Sequence, residues 1–334
     1  MGTVLLAIVP SQGFAQFYNY SAVIESISDC VVSIVAMRSG QEGQTSQEQV
    51  SFNRGTGITL SDNGYIVTNN HIVADADRYF VELNNGFVFE GQLTGGDPTT
   101  DIAVLKIDST ELTTCELSTE NQSVQVGEVV LGVGSPYSLP GSVSVGVVSH
   151  LERALTVAGD NTDFVLYIQT DLIINPGNSG GPVVNQAGDV IGMNTSTISS
   201  STGSVGIAFA IPARDISRVS RQLIRDGFAE KGDIGVSVRP LPQTVAQVQA
   251  LGLAERRGAI INDVAIDSPA FNAGIRADDV VVTVNRQAVD SDHKFRYLIA
   301  AQEAGSSVRL SLIRNGSIYS TQVQVEGRNP ANGN

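Results

Sequence analysis

Short apolar runs recur along the first two thirds of the chain, and turn-forming residues separate them. Asp62-Asn63-Gly64 and Asn84-Asn85-Gly86 each lie between two such runs. Asn-Gly between alternating runs is a strong signal for a β-hairpin. Further strand candidates follow up to Pro212, and no long amphipathic helix interrupts them. The pattern therefore predicts a mainly β domain, an antiparallel barrel or a sandwich.

The periodicity changes after this region. Between Ala213 and Asp226 the apolar residues fall at helical spacing, and Gly227 stands where a C-terminal cap belongs. We predict that this helix marks a domain boundary, with a first domain over residues 20–212 and a helical linker over 213–230.

The remaining chain predicts a small α+β domain over residues 231–327. Five strands are expected, the first at Ile234–Val238, together with two helices. One helix begins at Ser268-Pro269, with the hydroxyl as N-cap, and the other covers Ser291–Ala304. The tail from Arg328 to Asn334 is rich in Asn and Gly and is predicted to be disordered.

The composition narrows the function classes. Hydrophobic residues make up 42% of the chain, glycine is frequent at 34 residues, and the formal net charge is -14. A nucleic acid would be repelled by most of such a surface, so we exclude it as a partner. The few His and Cys are scattered, so we expect no metal site, and no phosphate-binding loop or cofactor motif is found.

The two cysteines are too few for a disulfide scaffold. Cys30 leads into an apolar run, and Cys115 follows a strand-like segment and a polar turn. We favour two separate buried thiols, with a bridge as the alternative.

An apolar run at Leu5–Pro10 stands near the first residue and is too short to span a bilayer. No basic residue precedes it, as a signal peptide would require. It is interpreted either as the end of a longer hydrophobic anchor, with Met1 a late start, or as a signal remnant. Both interpretations indicate export; the alternative is an ordinary apolar terminus.

Candidate chemistry centres on a glycine-rich stretch from Gly177 to Pro182 that contains Ser179. A serine nucleophile needs a base and nearby N–H donors for the oxyanion, here the amides of Gly177 and Ser179 on either side of Asn178. His71 is the candidate base, because His150 and His293 are expected to be structural or solvated. Asp101, at the entrance to an apolar strand, is the candidate that orients the imidazole. The order His, Asp, Ser is that of chymotrypsin-type proteases.

Four motifs in this sequence, TNNHIV, TDIAVLKI, GNSGGP and GIAFAIP, resemble those of the HtrA (Deg) serine proteases. The resemblance extends from about Tyr20 to Val325. It implies a chymotrypsin-like double β-barrel, with six strands in each barrel, a triad of His71, Asp101 and Ser179 in the cleft, and a C-terminal PDZ domain.

The resemblance also suggests a specificity. The residue six positions before the nucleophile sets the base of the S1 pocket in chymotrypsin-like proteases. That residue is Ile173, which predicts cleavage after small or medium aliphatic residues. Asp171 matches a QTD element of the family and is interpreted as structural.

PDZ domains bind a peptide C-terminus as an added strand and cap its carboxylate with backbone amides. The cap is expected at Ile234-Gly235-Val236. The groove is expected between that strand and the helix that carries Leu298.

The short loop between the first strands and the GEVVLGVGSPYSL block are most similar to the DegS-like, membrane-anchored stress-sensor branch of the family. This resemblance implies a periplasmic protease anchored to the inner membrane. Its activators would be C-termini of misfolded outer-membrane proteins, and its substrates unfolded proteins or a membrane anti-sigma factor.

The same branch implies a homotrimer held by N-terminal aromatics, here Phe17, Tyr18 and Tyr20. It also implies an activation loop over Leu151–Phe164, whose Arg153 would respond to PDZ occupancy, and an oxyanion hole that forms only conditionally, with a carbonyl at Asn178 turned into it in the inactive state. The alternatives are a constitutive quality-control protease and an inactive peptide-binding scaffold.

Overall fold

The computed structural model describes residues 19–39, 51–119, 124–135, 141–155, 164–200 and 203–328. The first domain contains two closed six-stranded barrels, as the resemblance implies. The strands of the first barrel follow the order β1-β2-β3-β6-β5-β4. They are β1 (Val31–Arg38), β2 (Ser51–Thr59), β3 (Tyr65–Thr68), β4 (Arg78–Glu82), β5 (Val88–Asp97) and β6 (Ile102–Ile107).

The second barrel has the same number of strands, in the order β10-β11-β12-β9-β8-β7. They are β7 (Val129–Gly134), β8 (Ser142–Arg153), β9 (Tyr167–Thr170), β10 (Pro182–Val184), β11 (Val190–Ser200) and β12 (Gly203–Pro212). Both predicted Asn-Gly hairpins of the first barrel are confirmed, since β2 pairs with β3 and β4 with β5, each pair antiparallel.

In the described part of the first domain and the linker, the barrels are accompanied by three helices, α1 (Ser21–Ser28), α2 (Asn70–Val73) and α3 (Ala213–Asp226). The prediction of α3 is confirmed, and Gly227 closes it in the left-handed conformation with φ 80°. Ile216, Val219 and Leu223 on its apolar face are fully buried in a cluster with residues of both barrels. This packing fixes the linker helix to the first domain.

The second domain contains a five-stranded antiparallel path and a separate two-stranded ribbon. Its strands are β13 (Lys231–Asp233), β14 (Val236–Arg239), β15 (Ala259–Val264), β16 (Val280–Val284), β17 (Gln287–Ala288), β18 (Ser307–Arg314), β19 (Ser317–Gln324) and β20 (Glu326–Arg328). Its helices are α4 (Val245–Ala250), α5 (Pro269–Asn272) and α6 (Asp292–Ala300). The predicted N-cap of α5 is confirmed, because Ser268 Oγ accepts a hydrogen bond from the Phe271 amide.

Three details of this domain differ from the predictions. The strand expected at Ile234–Val238 is broken, because Gly235 has φ 76° and separates β13 from β14. The short helix α4 was missed. Arg328, assigned to a disordered tail, instead ends β20, which pairs with β13; the rest of that tail lies outside the described residues.

The prediction of two separate thiols is wrong, because Cys30 and Cys115 form a disulfide. Their Cα atoms are 5.3 Å apart although 85 positions separate them in the sequence. Cys30 directly precedes β1, and Cys115 lies in the segment that connects the two barrels. The bond therefore ties the start of the first barrel to the connection that leads out of it.

We expect the Cys30→Ser/Cys115→Ser variant to be less stable by about 4–5 kcal/mol, since opening a loop of this length releases chain entropy in the unfolded state. Urea unfolding of the oxidised protein and of the variant measures the difference. Reductant should lower the midpoint of the parent protein and leave that of the variant unchanged. Equal midpoints for the oxidised parent protein and the variant would contradict this expectation.

Candidate active site and peptide groove

The Asp101 carboxylate receives three hydrogen bonds. His71 Nδ1 lies 2.8 Å from Oδ2 and 3.0 Å from Oδ1, and the His71 amide donates to Oδ1 at 2.9 Å. Thr195 Oγ1 donates to Oδ2 at 2.5 Å. The carboxylate thus fixes the imidazole through both its ring and its backbone, with Nδ1 facing the acid and Nε2 left for a reacting group.

Local structure places these groups. Helix α2 carries His71, and its first residue, Asn70, donates its amide to the Asp101 carbonyl at 3.1 Å. Asp101 stands immediately before β6 with φ 56°, a left-handed conformation that Asp tolerates better than most residues. Thr195 lies in β11 and was not predicted from the sequence; nothing in the surrounding strand pattern distinguishes it.

The Ser179 hydroxyl donates to the Thr195 carbonyl at 3.2 Å. Within the described part of the chain, no hydrogen bond joins Ser179 to His71. The histidine and the acid are therefore already paired, and the nucleophile is held beside them by the same threonine.

The backbone before Ser179 forms a type II turn. The Asn178 amide donates to the Asn175 carbonyl at 2.9 Å, with Pro176 and Gly177 as the central residues. Gly177 has φ 104°, which this turn type requires at its third position. Proline and glycine are thus the residues that the turn demands.

The carbonyls of Gly177 and Asn178 each accept a hydrogen bond. Thr56 Oγ1 donates to the Gly177 carbonyl at 2.6 Å, and the Gly181 amide donates to the Asn178 carbonyl at 3.0 Å. No described residue accepts a hydrogen bond from the amide of Gly177 or of Ser179. The Asn178 carbonyl is thus turned toward the Gly181 amide, and the two N–H groups beside the nucleophile have no acceptor among the described residues.

The two residues considered for specificity differ in environment. The Asp171 carboxylate accepts a hydrogen bond from the Val147 amide at 2.6 Å, a contact with the framework. Ile173 is 57% exposed, and its carbonyl accepts from Asn178 Nδ2 at 3.4 Å. Its aliphatic side chain thus lies at the surface beside the nucleophile turn.

The second domain has a groove of about 420 Å³ between β14 and α6. Ile234 and Val236 line it, together with Phe295 and Ile299 of α6. Gly235 stands at its end, where a side chain is excluded because a Cβ would lie 2.3 Å from Ser268 Cβ. The Gly235 amide already donates its hydrogen bond to Asp233 Oδ1 at 2.7 Å, so a ligand carboxylate would have to displace that side chain.

The groove also touches the first domain. Thr99, two residues before Asp101, and Phe164, which ends the predicted activation loop, belong to its lining. Ala154 and Leu166, on either side of residues 156–163, pack against the core cluster of the second domain. Residues 156–163 themselves lie outside the described part of the chain.

A buried ion pair joins the domains near Asp101. Lys231 of β13 contacts Asp97 Oδ2, and both side chains are fully buried. The same carboxylate accepts from the hydroxyls of Thr99 and Thr100. Burial lowers the pKa of the Lys231 amine, and the ion pair with Asp97 opposes this effect.

A second polar cluster joins α6 to the first domain. Lys294 Nζ lies 2.5 Å from Glu152 Oε1 at the end of β8, and Arg214 Nη2 lies 3.7 Å from the same oxygen. Tyr297 accepts a hydrogen bond from Arg214 Nε at 2.9 Å and contacts Asp215. Burial, with the nearby Asp215 carboxylate, raises the pKa of Tyr297 to about 12.

Arg153, the predicted regulatory residue, donates to Gln169 Oε1 of β9 at 3.1 Å. Its neighbour Glu152 makes the contact with α6, in a left-handed conformation with φ 57°. Glu152, which was not predicted as a site residue, therefore contacts the second domain, and the regulatory role of Arg153 stays a prediction.

The N-terminal predictions fall largely outside the described residues, which include neither Leu5–Pro10 nor Phe17 and Tyr18. Tyr20 is described and packs against the core next to α1. Across the described ranges, no helix is long and apolar enough to cross a membrane.

The first domain has the two barrels and the His-Asp pair of a trypsin-like peptidase. The second domain, with its groove between a strand and a helix, is a PDZ domain. Matching family models agree: the trypsin-like peptidase domain covers residues 55–193 and the PDZ domain covers residues 232–325.

The chain belongs to the HtrA-type proteases. It is 32% identical to the HtrA-type protease AlgW with tripeptide, with a TM-score of 0.77 over 95% of this chain and 99% of that one. It is 31% identical to AlgW with decapeptide, with a TM-score of 0.74 over 94% and 100% of the two chains.

Curated relatives carry the name probable periplasmic serine endoprotease DegP-like. The protein of Brucella suis biovar 1 is 41% identical over 81% of this chain and 52% of its own length. The protein of Pseudomonas putida W619 is 38% identical over 81% and 55%. The chain thus spans about half the length of the curated relatives it matches.

We expect Thr195→Val to lower kcat for peptide hydrolysis about 10- to 100-fold with little change in KM, because Asp101 loses a charge-assisted hydrogen bond that positions the imidazole. Steady-state kinetics measure the change. Thr195→Ser keeps the hydroxyl and should restore most of the rate. An unchanged kcat in Thr195→Val would show that this contact has no positioning role.

Proposed function

We propose that this chain is a serine endopeptidase in which Ser179 is the nucleophile, His71 the general base and acid, and Asp101 the group that orients the imidazole. The observation that carries the proposal is the three-donor contact on Asp101, which directs His71 Nδ1 at the acid. Ser179 reaches His71 by rotating its hydroxyl away from the Thr195 carbonyl.

The chemistry follows from these positions. His71 Nε2 takes the Ser179 proton as Oγ attacks the scissile carbonyl, and the same proton then passes to the departing amine. The tetrahedral oxyanion binds the amides of Gly177 and Ser179, the first within the type II turn centred on Pro176 and Gly177 and the second just after it. A water molecule, deprotonated by His71, then cleaves the acyl-enzyme and restores the Ser179 hydroxyl.

The exposed Ile173 supports a preference at the residue before the scissile bond. An aliphatic surface beside the nucleophile turn favours a small or medium aliphatic substrate side chain. Asp171 is not the selector in this proposal, because its carboxylate is engaged by the Val147 amide. Cleavage after Val is therefore expected over cleavage after Arg or Lys.

We further propose that the PDZ domain controls the protease by binding peptide C-termini at Ile234-Gly235-Val236. The support is that the PDZ groove and the active-site loop are in direct contact. Thr99 and Phe164 of the first domain line the groove, and Lys231 of the second domain pairs with Asp97, close to Asp101. A peptide can activate only by binding one arrangement of these contacts more tightly than the other. In this proposal Arg153 responds indirectly, through Glu152.

The biological setting stays part of the proposal. Relatives named periplasmic endoproteases favour a periplasmic location, and the AlgW structures with bound peptides favour a peptide-gated sensor over a constitutive quality-control protease. An inner-membrane anchor, a homotrimer, activation by outer-membrane protein C-termini and cleavage of a membrane anti-sigma factor remain predictions.

We expect Ser179→Ala to abolish hydrolysis of an unfolded protein, because no other side chain can replace the nucleophile. Mass spectrometry of digests by the parent protein should show cleavage after Val and similar residues. The variant should still bind a C-terminal peptide, which controls for folding. Cleavage by Ser179→Ala at the rate of the parent protein would contradict the triad. A parent protein that binds the peptide but cleaves nothing would indicate a peptide-binding scaffold.

We expect Lys294→Met to raise the hydrolysis rate without peptide by about fivefold or more, because the ion pair with Glu152 that holds α6 against β8 is lost. Turnover of an unfolded substrate with and without added peptide measures the effect, and peptide should stimulate the variant less.

Arg257→Met is the matched control. It also removes one cation from the second domain, but Arg257 pairs with Glu255, an exposed residue two positions away in the sequence. It should behave like the parent protein. Equal basal rates in Lys294→Met and the control would indicate that this contact does not restrain the protease.

A further inference from the structure

Two glycines of β7 leave space inside the second barrel. Gly132 and Gly134 lie on the same face of the strand as Val130, which belongs to a buried cluster with a residue from each of the six strands. Both glycines have φ outside the left-handed region, so the backbone conformation does not require glycine. The groups that a side chain would meet at these two positions explain them instead.

Polar side chains face this space. A Cβ added at Gly132 would lie 3.0 Å from Ser144 Oγ and 3.5 Å from Asn194 Nδ2. A Cβ added at Gly134 would lie 2.7 Å from Asn178 Oδ1. Ser144 stands directly opposite Gly132 on β8, and Asn194 pairs with a residue of the interior cluster on β12. Three polar side chains thus point into the barrel beside the nucleophile turn.

These polar atoms have no partner in the part of the chain that the structure describes. Asn194 is 1% exposed, and neither its Nδ2 nor its Oδ1 makes a hydrogen bond there; the same holds for Ser144 Oγ and Asn178 Oδ1. Buried polar groups are nearly always paired, either with protein or with ordered water. A buried water needs about two to four polar partners. The site offers them, with one amide donor, two amide oxygens and a hydroxyl that can donate or accept.

Both asparagines also contact the chain around the nucleophile. The Asn194 carbonyl accepts from the amide of Gly180, directly after Ser179, at 2.8 Å. Asn178, directly before Ser179, donates from Nδ2 to the Ile173 carbonyl at 3.4 Å, and its Oδ1 is turned toward the barrel interior. The interior space therefore lies against both sides of the nucleophile turn.

We propose that one or two water molecules bind in this interior site, between Asn194 and Ser144 at one end and Asn178 Oδ1 at the other. Residues two apart on a strand are roughly 7 Å apart, a span that one or two water molecules can bridge. Asn194 is then a positioning residue, which acts through water on Asn178 and so on the Gly177 and Ser179 amides that bind the oxyanion. This inference rests on the proposed role of Ser179 as the nucleophile.

A high-resolution crystal structure of the whole chain tests the site. We expect ordered water within about 3.2 Å of the Asn194 side chain, linked to Asn178 Oδ1 directly or through a second water. In Gly132→Ala the added methyl, 3.0 Å from Ser144 Oγ, should displace water. Gly91→Ala is the matched control with unchanged kinetics, because a Cβ there meets its nearest atom at 3.6 Å. An interior site without water in the parent protein overturns the proposal.

Kinetics test the positioning role. Asn194→Leu, which keeps the shape and removes both polar atoms, and Gly132→Ala should each lower kcat about five- to fiftyfold with little change in KM. The affinity for a peptide aldehyde should fall by a similar factor, because its carbonyl carbon bonds to Ser179 Oγ and its oxygen then takes the oxyanion position. Asn194→Ser keeps a polar group and room for water and should restore most of both. Partial unfolding alone would lower the rate and leave the aldehyde affinity unchanged.

The outcomes separate this inference from the function on which it rests. Unchanged kcat and aldehyde affinity in both Asn194→Leu and Gly132→Ala overturn the positioning role, even if water is bound. If Asn194→Leu does not fold, Gly132→Ala and Ser144→Ala decide by the same measurements, since each removes the water or one of its partners. A parent protein that neither cleaves an unfolded substrate nor forms the aldehyde adduct at Ser179 contradicts the proposed nucleophile, and with it the positioning role.

Discussion

The Asp101 carboxylate is the contact on which the rest of the site depends. It holds the His71 ring, the His71 amide and the Thr195 hydroxyl at once, so it sets the position of the imidazole and of β11 together. Thr195 in turn holds Ser179 through its carbonyl. Loss of this carboxylate would therefore remove the contacts that orient the imidazole, while the buried cluster shared by the two barrels would still hold them together.

The loop that carries Asp101 also faces the second domain. Just before Asp101, Asp97 contacts Lys231 and Thr99 lines the PDZ groove. The end of β8 adds a second link through Glu152 and Lys294. A buried ion pair contributes little net stability compared with an apolar pair, but it is costly to break on one side, so it favours one arrangement over others. Such contacts suit the two-state control of the protease that we propose.

The sequence predicted what short local patterns encode. The motifs around His71, Asp101 and Ser179 carry their chemistry within a few residues, and helix α3 follows from periodicity and Gly227. Thr195 was missed because it lies 16 positions after Ser179 in a strand with no marker. The Cys30–Cys115 bond was missed because only the folded barrel brings 85 positions of separation to 5.3 Å. The break at Gly235 was missed because its left-handed backbone and its close approach to Ser268 arise only in the folded domain.

If the PDZ domain controls the protease as proposed, its occupancy changes how readily Ser179 reacts. The most direct measurement is the rate at which a fluorophosphonate probe labels Ser179, with and without a peptide that ends in a free carboxylate. The account predicts faster labelling with that peptide and no change with its amidated form. Equal labelling rates under all three conditions, with the free peptide shown to be bound, would contradict it.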